Sequence, residues 1–336
     1  MLLLAVLVAM ASAAVLPKKM TAVEVVSGIL PCQPPDFTCV GVKRISTPVP
    51  GNGQVLVRLT SSSVNPSDLD LEEVLGRLVG TMGADVAGHV VSVGSGVTRL
   101  KVGDLVWGDA RHAYAEFVAM DEATTGLAPS TLSPQVAGTI PEVGQTSLQC
   151  LQALGAPWTL ESNVTVVITS GSGGTGFVGI QLARALGAGT VITATSKDNT
   201  AFVKSLGADV VVDYKTTDVL ASLADGSVDF VFDNYGAVGN ADKAQPKLRA
   251  GGRYLILPGG AKGKLSKNWT RTDATQVDAG LMKPSLQSLD ALKGMFEAGK
   301  IVAHIDSTFA FHNASAALAR SATGQSVGKI ALVPDS

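Results

Sequence analysis

The chain has 336 residues, of which 46% are hydrophobic and 16% charged, and its formal net charge is −2. This composition argues against disorder and leaves room for about two domains with buried cores. A near-neutral charge without a long basic run also argues against a nucleic-acid partner.

Residues 1–19 differ from the rest of the chain. They open with the apolar run MLLLAVLVAMASAAV, in which Ala11, Ser12 and Ala13 match the small-x-small pattern of a signal-peptide cleavage site. The run is too short for a membrane span, so we expect none in the mature chain. It lacks a basic start, which leaves a membrane anchor or translation from Met20 open. We predict the secretory pathway, or an internal compartment reached through it, with the cytoplasm as the alternative.

The three cysteines bear on the same question. Cys32 and Cys39 could form a bridge in an oxidising compartment, which would leave Cys150 without a partner. Secretory entry is also compatible with the Asn-x-Ser/Thr sequons at Asn163, Asn268 and Asn313.

After residue 19 the pattern changes twice. Residues 20–145 contain short β patterns separated by turns, such as QVLVRLTSSSV and YAEFVAM. Residues 146–280 alternate strand and helix patterns, which predicts a parallel, doubly wound α/β sheet. In residues 281–336, one amphipathic helix at 285–300 is followed by a return to β character. We predict domain boundaries at these three divisions.

A glycine-rich motif lies at the start of the alternating region, and its residues are Gly171, Ser172, Gly173, Gly174, Thr175 and Gly176. A β-branched strand pattern at 164–169 precedes it, and a helical pattern at 177–186 follows it. Glycines at such a strand-to-helix turn let the backbone approach a pyrophosphate at the helix N-terminus. The motif therefore predicts a dinucleotide site, with an ordinary glycine-rich turn as the alternative.

The end of the next predicted strand, Thr190–Thr195, indicates which dinucleotide binds. An NAD site usually has Asp or Glu there to bind the ribose 2′-hydroxyl, whereas this chain has Thr195, Ser196 and Lys197. Two hydroxyls and a cation suit a 2′-phosphate, so the sequence favours NADPH. Alternatively, Lys197 is a solvated charge that opens the next helix beside Asp198.

Several further motifs carry a family resemblance, and they lie at residues 63–68 (SVNPSD), 83–88, 91–107, 114–118, 213–214, 248–253 and 328–330. Over residues 20–334 the chain resembles the zinc-independent quinone oxidoreductase branch of the medium-chain dehydrogenase/reductase superfamily. The resemblance implies a GroES-like catalytic domain at 20–145, a Rossmann NADPH-binding domain at 146–280, and a return to the catalytic domain at 281–336.

The same resemblance bears on metal chemistry. Zinc-dependent relatives need three protein ligands, typically Cys and His with an acidic residue. Where those relatives carry Cys-His, this chain has Asn65 and Pro66, and where they carry Gly-His-Glu it has Gly83, Ala84 and Asp85. We expect no metal. The implied activity is hydride transfer from NADPH to a small-molecule electron acceptor, either a quinone or a conjugated carbonyl.

Resemblance also suggests the catalytic residues. It places Asn65 beside the nicotinamide, and some members carry a Tyr, as proton donor, where this chain has Asp70. The remaining candidates for the proton donor are Ser67, a cofactor 2′-hydroxyl and water.

Other cofactor-binding candidates lie at strand ends. By resemblance Tyr214 flanks the 2′-phosphate, with packing at a strand edge as the alternative. Open α/β sheets bind ligands at the carboxyl ends of their strands, and the residues found there are Asn234, Gly236, Pro258 and Gly259. Gly259 could equally be a plain turn residue. Lys329 matches a C-terminal Gly-Lys of the branch and is as much a structural as a functional candidate.

Two alternatives to a quinone reductase stay open. One is an alkenal, enone or enoyl-thioester double-bond reductase, and the other is a non-catalytic NADPH-binding protein. For the assembly, a homodimer is one open alternative.

Overall fold

The structure is a computed structural model, and it describes residues 16–26, 37–69, 81–257, 263–280 and 283–335. The strands within these ranges are β1 (Lys19–Val25), β2 (Val40–Ser46), β3 (Gln54–Val64), β4 (Asp85–Val93), β5 (Leu105–Asp109), β6 (Phe117–Asp121), β7 (Thr125–Leu127), β8 (Thr165–Ile168), β9 (Thr190–Thr195), β10 (Val210–Asp213), β11 (Val228–Asp233), β12 (Leu248–Ile256), β13 (Thr275–Asp278), β14 (Ile305–Ala310) and β15 (Lys329–Val333).

The α-helices within the same ranges are α1 (Pro134–Ala137), α2 (Pro141–Ala153), α3 (Gly174–Ala185), α4 (Thr200–Ser205), α5 (Val219–Ser222), α6 (Asn240–Ala244), α7 (Leu286–Glu297) and α8 (Ala314–Ala322). Two short 3₁₀ turns, Pro66–Leu69 after β3 and Lys197–Asn199 after β9, carry candidate site residues.

A seven-stranded sheet forms the first lobe, in the order β14-β15-β3-β4-β5-β7 with β6 paired to β3. The C-terminal strand β15 lies antiparallel to β3 and pairs Ile330 with Val64. The apolar side chains of β3 and β15 bury against one another because alternate residues of a strand face the same side of the sheet. The last strands of the chain thus complete a sheet that its first hundred residues begin.

A six-stranded parallel sheet forms the second lobe, in the order β10-β9-β8-β11-β12-β13. The predicted α/β class with a doubly wound parallel sheet is confirmed. Strands β8 (TVVI) and β9 (TVITAT) are buried beyond their first residue because helices cover parallel sheets on both faces. The strand order reverses between β8 and β11, and open sheets of this kind bind ligands outside the strand ends at that point.

One predicted element boundary is wrong in an informative way. We expected the helix after the glycine-rich motif at 177–186, but α3 runs from Gly174 to Ala185. Gly173 takes the extended N-cap conformation, with φ −76° and ψ 173°, so the helix begins inside the motif. The sequence pattern did not reveal this start because glycine has a low helix propensity. The predicted second strand, Thr190–Thr195, has the bounds of β9.

Helix α2 packs between the lobes. Its buried residues Leu148 and Leu151 belong to one apolar cluster with Trp107 of β5 and Phe296 of α7. The two aromatic rings meet edge to face at 6.2 Å and 74°. Burial of each leucine contributes about 1.5–3 kcal/mol. This packing holds α2 against β5 and α7, and the Glu142 N–H at its N-terminus donates to Asp85 of β4.

Predictions about the chain ends and cysteines are only partly covered. Residues 1–15, Cys32 and Asp70 lie outside the described residues. Cys39 is disulfide-bonded, and Cys150 is a buried free thiol. Among the described helices, none has the length and apolar character to cross a membrane. The domain boundaries stay predictions.

Candidate functional site

The glycine-rich turn lies at the carboxyl end of β8, beside the point where the strand order reverses. A Cβ atom on Gly176 would lie 2.1 Å from the Ser170 carbonyl oxygen, so only glycine fits there. Helix α3 starts at Gly174, and the first N–H groups of a helix have no partner within it. These N–H groups can bind an anion such as a pyrophosphate.

The end of β9 is tied to this turn. The buried Thr195 hydroxyl donates to Ser172 Oγ over 2.8 Å, and Asn199 Nδ2 donates to the same atom over 3.4 Å. Ser196 is buried beside Thr195. Thr195 therefore fixes the position of the glycine-rich turn, and its hydroxyl is engaged by the protein.

Two side chains at this edge face solvent. Lys197 is exposed at the start of its 3₁₀ turn, which fits a phosphate contact and the solvated-charge alternative alike. The Tyr214 N–H donates to the Thr195 carbonyl over 3.2 Å, while its side chain is 51% exposed. That exposure argues against packing at a strand edge as the role of Tyr214.

A buried amide without an acceptor lies at the carboxyl end of β11. Asn234 Oδ1 accepts from Thr169 Oγ1 over 2.9 Å, but Asn234 Nδ2 has no hydrogen-bond partner within the described part of the chain. Nearby, the Gly236 N–H donates to Asp233 Oδ1 over 3.0 Å. An unsatisfied buried donor costs about 1–3 kcal/mol, so Asn234 fits a bound group that offers an oxygen. Pro258 and Gly259 lie outside the described residues.

A buried polar cluster lies at the end of β3. Lys329 of β15 is 3% exposed, and its Nζ donates to the Val64 carbonyl over 3.0 Å and to Asn65 Oδ1. The same amine lies 3.7 Å from Oδ2 of Asp85, which is completely buried. Lys329 thus points its charge at Asn65 and not at the 2′-phosphate edge.

Asp85, at the start of β4, accepts hydrogen bonds from three groups of the cluster. Its Oδ2 accepts from Ser63 Oγ over 2.5 Å and from Asn65 Nδ2 over 2.8 Å, and its Oδ1 accepts from the Glu142 N–H over 2.7 Å. Buried charges persist when they are paired and hydrogen-bonded in this way. Both ends of the Asn65 amide are therefore held, one by Lys329 and one by Asp85.

A second carboxyl, that of Asp68, holds the turn after β3. Asp68 Oδ2 accepts from Tyr114 Oη over 2.6 Å and from the Asn65 N–H over 2.8 Å. Burial raises the pKa of Asp68 to about 6 in spite of these hydrogen bonds. Burial and the neighbouring Asp68 also hold the pKa of the Tyr114 phenol well above its usual range. The neutral phenol fixes the turn that carries Ser67.

A third carboxyl, that of Glu142, lies at the N-terminus of α2. The exposed Ser67 hydroxyl donates to Glu142 Oε1 over 3.3 Å. Removal of the carboxyl from water, together with the charges of Asp85 and Asp68, raises the pKa of Glu142 to about 8. The carboxyl is therefore mainly protonated at neutral pH.

The glycine-rich turn and the buried cluster are adjacent. The Gly328 N–H donates to the Ser172 carbonyl over 2.8 Å, and a Cβ on Gly174 would lie 3.1 Å from Lys329 Cδ. Lys329 therefore lies between the predicted dinucleotide turn and Asn65. Thus the structure brings Asn65, Ser67 and Lys329 beside the turn, whereas Lys197 and Tyr214 lie at its opposite edge.

Four residues of the cluster were not predicted from the sequence to be site residues: Asp68, Asp85, Tyr114 and Glu142. Asp85 carried a usable signal, because an acidic residue inside the apolar strand pattern ADVAGHVV demands a buried partner. Glu142 carried none, because an acidic residue after Pro141 is typical of any helix N-terminus.

Comparison with known proteins places this arrangement in a family. Residues 51–130 match the alcohol dehydrogenase GroES-like domain, and residues 206–332 match the family described as zinc-binding dehydrogenase. The chain is 31% identical over 314 residues to a chloroplast envelope quinone oxidoreductase homolog of Arabidopsis thaliana, covering 87% of this chain and 93% of that protein. The chain belongs to the medium-chain dehydrogenase/reductase superfamily, in its zinc-independent, quinone oxidoreductase-like branch.

Two further members of the superfamily agree with this assignment. A 2-methylene-furan-3-one reductase of Solanum lycopersicum is 30% identical over 311 residues, which cover 87% of this chain and 74% of that protein. The solved structure of a quinone oxidoreductase from Coxiella burnetii superimposes with a TM-score of 0.82 at 27% identity, covering 94% of this chain and 99% of that one. Members of this superfamily use a nicotinamide cofactor, and the turn at residues 171–176 fits one.

The family description that mentions zinc does not correspond to a ligand set in the part of this chain that the structure describes. There, no group of three or more His, Cys, Asp or Glu side chains is arranged to hold a metal ion. Asn65, at the position where zinc-dependent relatives carry Cys, instead binds Asp85 and Lys329. The expectation that the enzyme needs no metal stays a prediction.

Proposed function

We propose that the protein is an NADPH-dependent reductase that transfers hydride to a quinone or a conjugated carbonyl. The observation that carries this function is the position of Lys329, whose stem lies against Gly174 of the dinucleotide turn while its amine holds Asn65. The names of two relatives, a quinone oxidoreductase homolog and a 2-methylene-furan-3-one reductase, support both acceptor classes.

The residues proposed to hold the pyrophosphate belong to the turn, and they are Gly171, Ser172, Gly173, Gly174, Thr175 and Gly176. We assign Ser196, Lys197 and Tyr214 to the 2′-phosphate, because no carboxylate stands at the end of β9 to repel it. The unsatisfied Asn234 amide beside Gly236 supports a bound oxygen acceptor at the end of β11. When bound, the reduced nicotinamide supplies the hydride.

The residues of the first lobe then orient and polarise the acceptor. Lys329 and Asp85 hold both ends of the Asn65 amide, which keeps its side chain in one orientation on the nicotinamide side. Ser67 is exposed and offers a hydroxyl donor for the oxygen that gains charge during reduction.

An acceptor assay tests this function. Purified protein is supplied with NADPH or NADH and with a naphthoquinone, a short enal or crotonyl-CoA, and cofactor oxidation is followed. We expect turnover with NADPH and at least one acceptor, and the ratio of kcat/KM among acceptors separates a quinone reductase from an enone or enoyl-thioester reductase. Binding of NADPH without turnover of any acceptor would instead favour a non-catalytic NADPH-binding protein.

A matched pair of glycine variants makes the assay specific for the turn. Gly176→Ala should abolish NADPH binding and turnover, because its Cβ meets the Ser170 carbonyl. Gly294→Ala, in α7, has open space around the new Cβ and should leave both unchanged. Equal activity of the two variants would contradict the assignment of this turn.

The targeting prediction extends the proposal. We propose that residues 1–19 direct the chain to an internal compartment of the secretory pathway, and the disulfide at Cys39 supports an oxidising compartment. N-terminal sequencing of the mature protein should begin near Ala14 or Val15. An intact Met1, or a start at Met20, would contradict this. The homodimer also stays a prediction, which sedimentation of the mature protein tests.

A further inference from the structure

Glu142 is more exposed to solvent than the other titratable groups of the buried cluster, which are Asp68, Asp85, Tyr114 and Lys329. Its backbone N–H is fixed by Asp85, and its carboxyl accepts from the hydroxyl of Ser67, which is exposed. Ser67 is two residues beyond Asn65, on the turn held by Asp68. One hydrogen bond of 3.3 Å therefore joins the partly buried Glu142 carboxyl to an exposed hydroxyl beside Asn65.

This hydrogen bond also lies next to the dinucleotide turn. A Cβ on Gly174 would lie 3.1 Å from Cγ1 of Val143, the residue that follows Glu142. The first turn of α2 is therefore in contact with the start of α3. A proton carried by Glu142 and Ser67 would leave the protein two residues from Asn65, which is proposed to lie on the nicotinamide side.

We propose that Glu142 stores a proton and passes it through the Ser67 hydroxyl to the reduced acceptor. This inference rests on the proposed reductase function and supplies its missing proton donor. In the structure the Ser67 hydroxyl donates to Glu142 Oε1. In the relay the protonated Glu142 carboxyl donates to Ser67 Oγ instead, which leaves the Ser67 hydrogen for the reduced acceptor, because a hydroxyl both accepts and donates.

The step balances for a conjugated carbonyl. The reduced nicotinamide would supply the hydride, with loss of one of its own C–H bonds and its oxidation. Addition of the hydride forms a C–H bond at the β-carbon, breaks the C=C π bond and moves an electron pair onto the carbonyl oxygen. The Ser67 O–H bond then breaks and its proton goes to the enolate oxygen, and the resulting enol tautomerises to the saturated carbonyl. The Glu142 O–H bond breaks to restore Ser67, and the carboxylate regains a proton from water.

The surroundings keep Glu142 protonated in the working pH range. The titratable groups that face it from neighbouring elements are Asp68, Asp85, Asp109, Tyr114 and Lys329. Burial and the carboxylates outweigh the opposing charge of Lys329, and they raise the pKa of Glu142 to about 8. Glu142 is therefore mainly protonated at pH 7 and loses its proton as pH rises through about 8.

Variants and a pH profile test the relay. With a conjugated carbonyl and saturating NADPH, kcat of the wild type should fall as pH rises through about 8. Glu142→Gln and Ser67→Ala should lower kcat at pH 7 by about 100-fold, the lower range for general acid catalysis, and should lose that pH limb. The dissociation constant of NADPH should not change. Glu161→Gln, an exposed carboxyl on the other lobe, is the matched control and should behave as wild type.

A titration without cofactor or substrate gives an independent readout. In protein labelled with ¹³C at glutamate side-chain carboxyls, one NMR signal should titrate near pH 8, and Glu142→Gln should lack it. Should Glu142→Gln fail to fold, the exposed Ser67→Ala variant still carries the kinetic test.

The outcomes separate the two proposals. Wild type that reduces no quinone or conjugated carbonyl overturns the reductase function. Active wild type with a Glu142→Gln variant that keeps the rate and the pH limb overturns the relay alone, as does the absence of a carboxyl that titrates near pH 8.

Discussion

The two halves of the site are built in different ways. The dinucleotide half is built mainly of short local segments, residues 171–176 after β8 and 195–197 at the end of β9, and it offers backbone N–H groups and exposed side chains. The acceptor half is made of buried charges from strands far apart in sequence, such as Lys329 and Asn65, which are separated by 264 positions. A local motif can encode the first half, whereas only the completed topology creates the second.

The largest expected effect comes from removing a charge in the acceptor half of the site. Asp85→Ala should lower the free energy of unfolding by about 3–5 kcal/mol, because Lys329 is left as an uncompensated buried charge. Denaturant unfolding measures this. Asp225→Ala removes an ion pair with Lys247 in which the carboxylate is 73% exposed, and it should cost at most about 1 kcal/mol.

A double variant sharpens the same test. Asp85→Asn combined with Lys329→Met removes both charges and should be more stable than Asp85→Ala alone. If Asp85→Ala and Asp225→Ala lower the free energy of unfolding equally, the buried cluster contributes no more to stability than the surface ion pair does.

The next effect concerns pH. The folded-state pKa of Asp68 is about 6, above the ordinary value of 3.8, so the folded protein holds this proton more tightly than the unfolded chain. The resulting stability is fully present below pH 3.8 and is lost as pH rises through 6. Between pH 4 and 7 the wild type should lose about 2–3 kcal/mol more than Asp68→Asn.

Urea unfolding at several pH values checks this prediction. The exposed Asp198→Asn, at the dinucleotide half, should follow the wild type. If the stability of wild type and of Asp68→Asn depends on pH in the same way, burial does not raise the pKa of Asp68.

In the dinucleotide half, effects should fall on the cofactor and leave folding intact. Lys197→Ala removes one charge-assisted hydrogen bond, worth about 1.5–3 kcal/mol, and should weaken NADPH binding by about 10- to 100-fold. NADH binding should not change, because NADH lacks the phosphate. Thr195→Asp should weaken NADPH binding through charge repulsion.

Fluorescence titration with both cofactors measures these effects. Lys204→Ala, an exposed cation on α4, serves as the control. If the wild type prefers NADH, or if Lys197→Ala weakens both cofactors equally, the 2′-phosphate contact lies elsewhere.

The smallest expected effect is none at all. Activity should survive EDTA, because Asn65 and Asp85 are engaged with each other and with Lys329. Loss of activity with EDTA and its recovery on addition of Zn²⁺ would contradict the expectation of no metal.

The same contrast explains what the sequence could predict. The strand bounds of β9 and the position of the glycine-rich turn follow from local patterns, since β-branched runs and glycine punctuation act over a few residues. Asn65 and Ser67 were accessible through family resemblance.

The polar cluster was beyond local patterns. Nothing near Lys329 in sequence shows that its side chain is buried, because that depends on the pairing of β15 with β3. The protonated state of Glu142 depends in turn on Asp85 and Asp68, which come from other elements. Tertiary context decides both.

The late position of β15 bears on how the chain is made. The strand beside β3 leaves the ribosome about 265 residues after its partner, so the first lobe cannot close its sheet during most of synthesis. Until then Asp85 lacks the positive charge of Lys329, and the apolar residues of β3 lack their packing partners Ile330 and Leu332. Contacts of such long sequence separation slow folding and prolong the aggregation-prone stage. Assistance by chaperones should therefore matter most in the interval just before and after chain release.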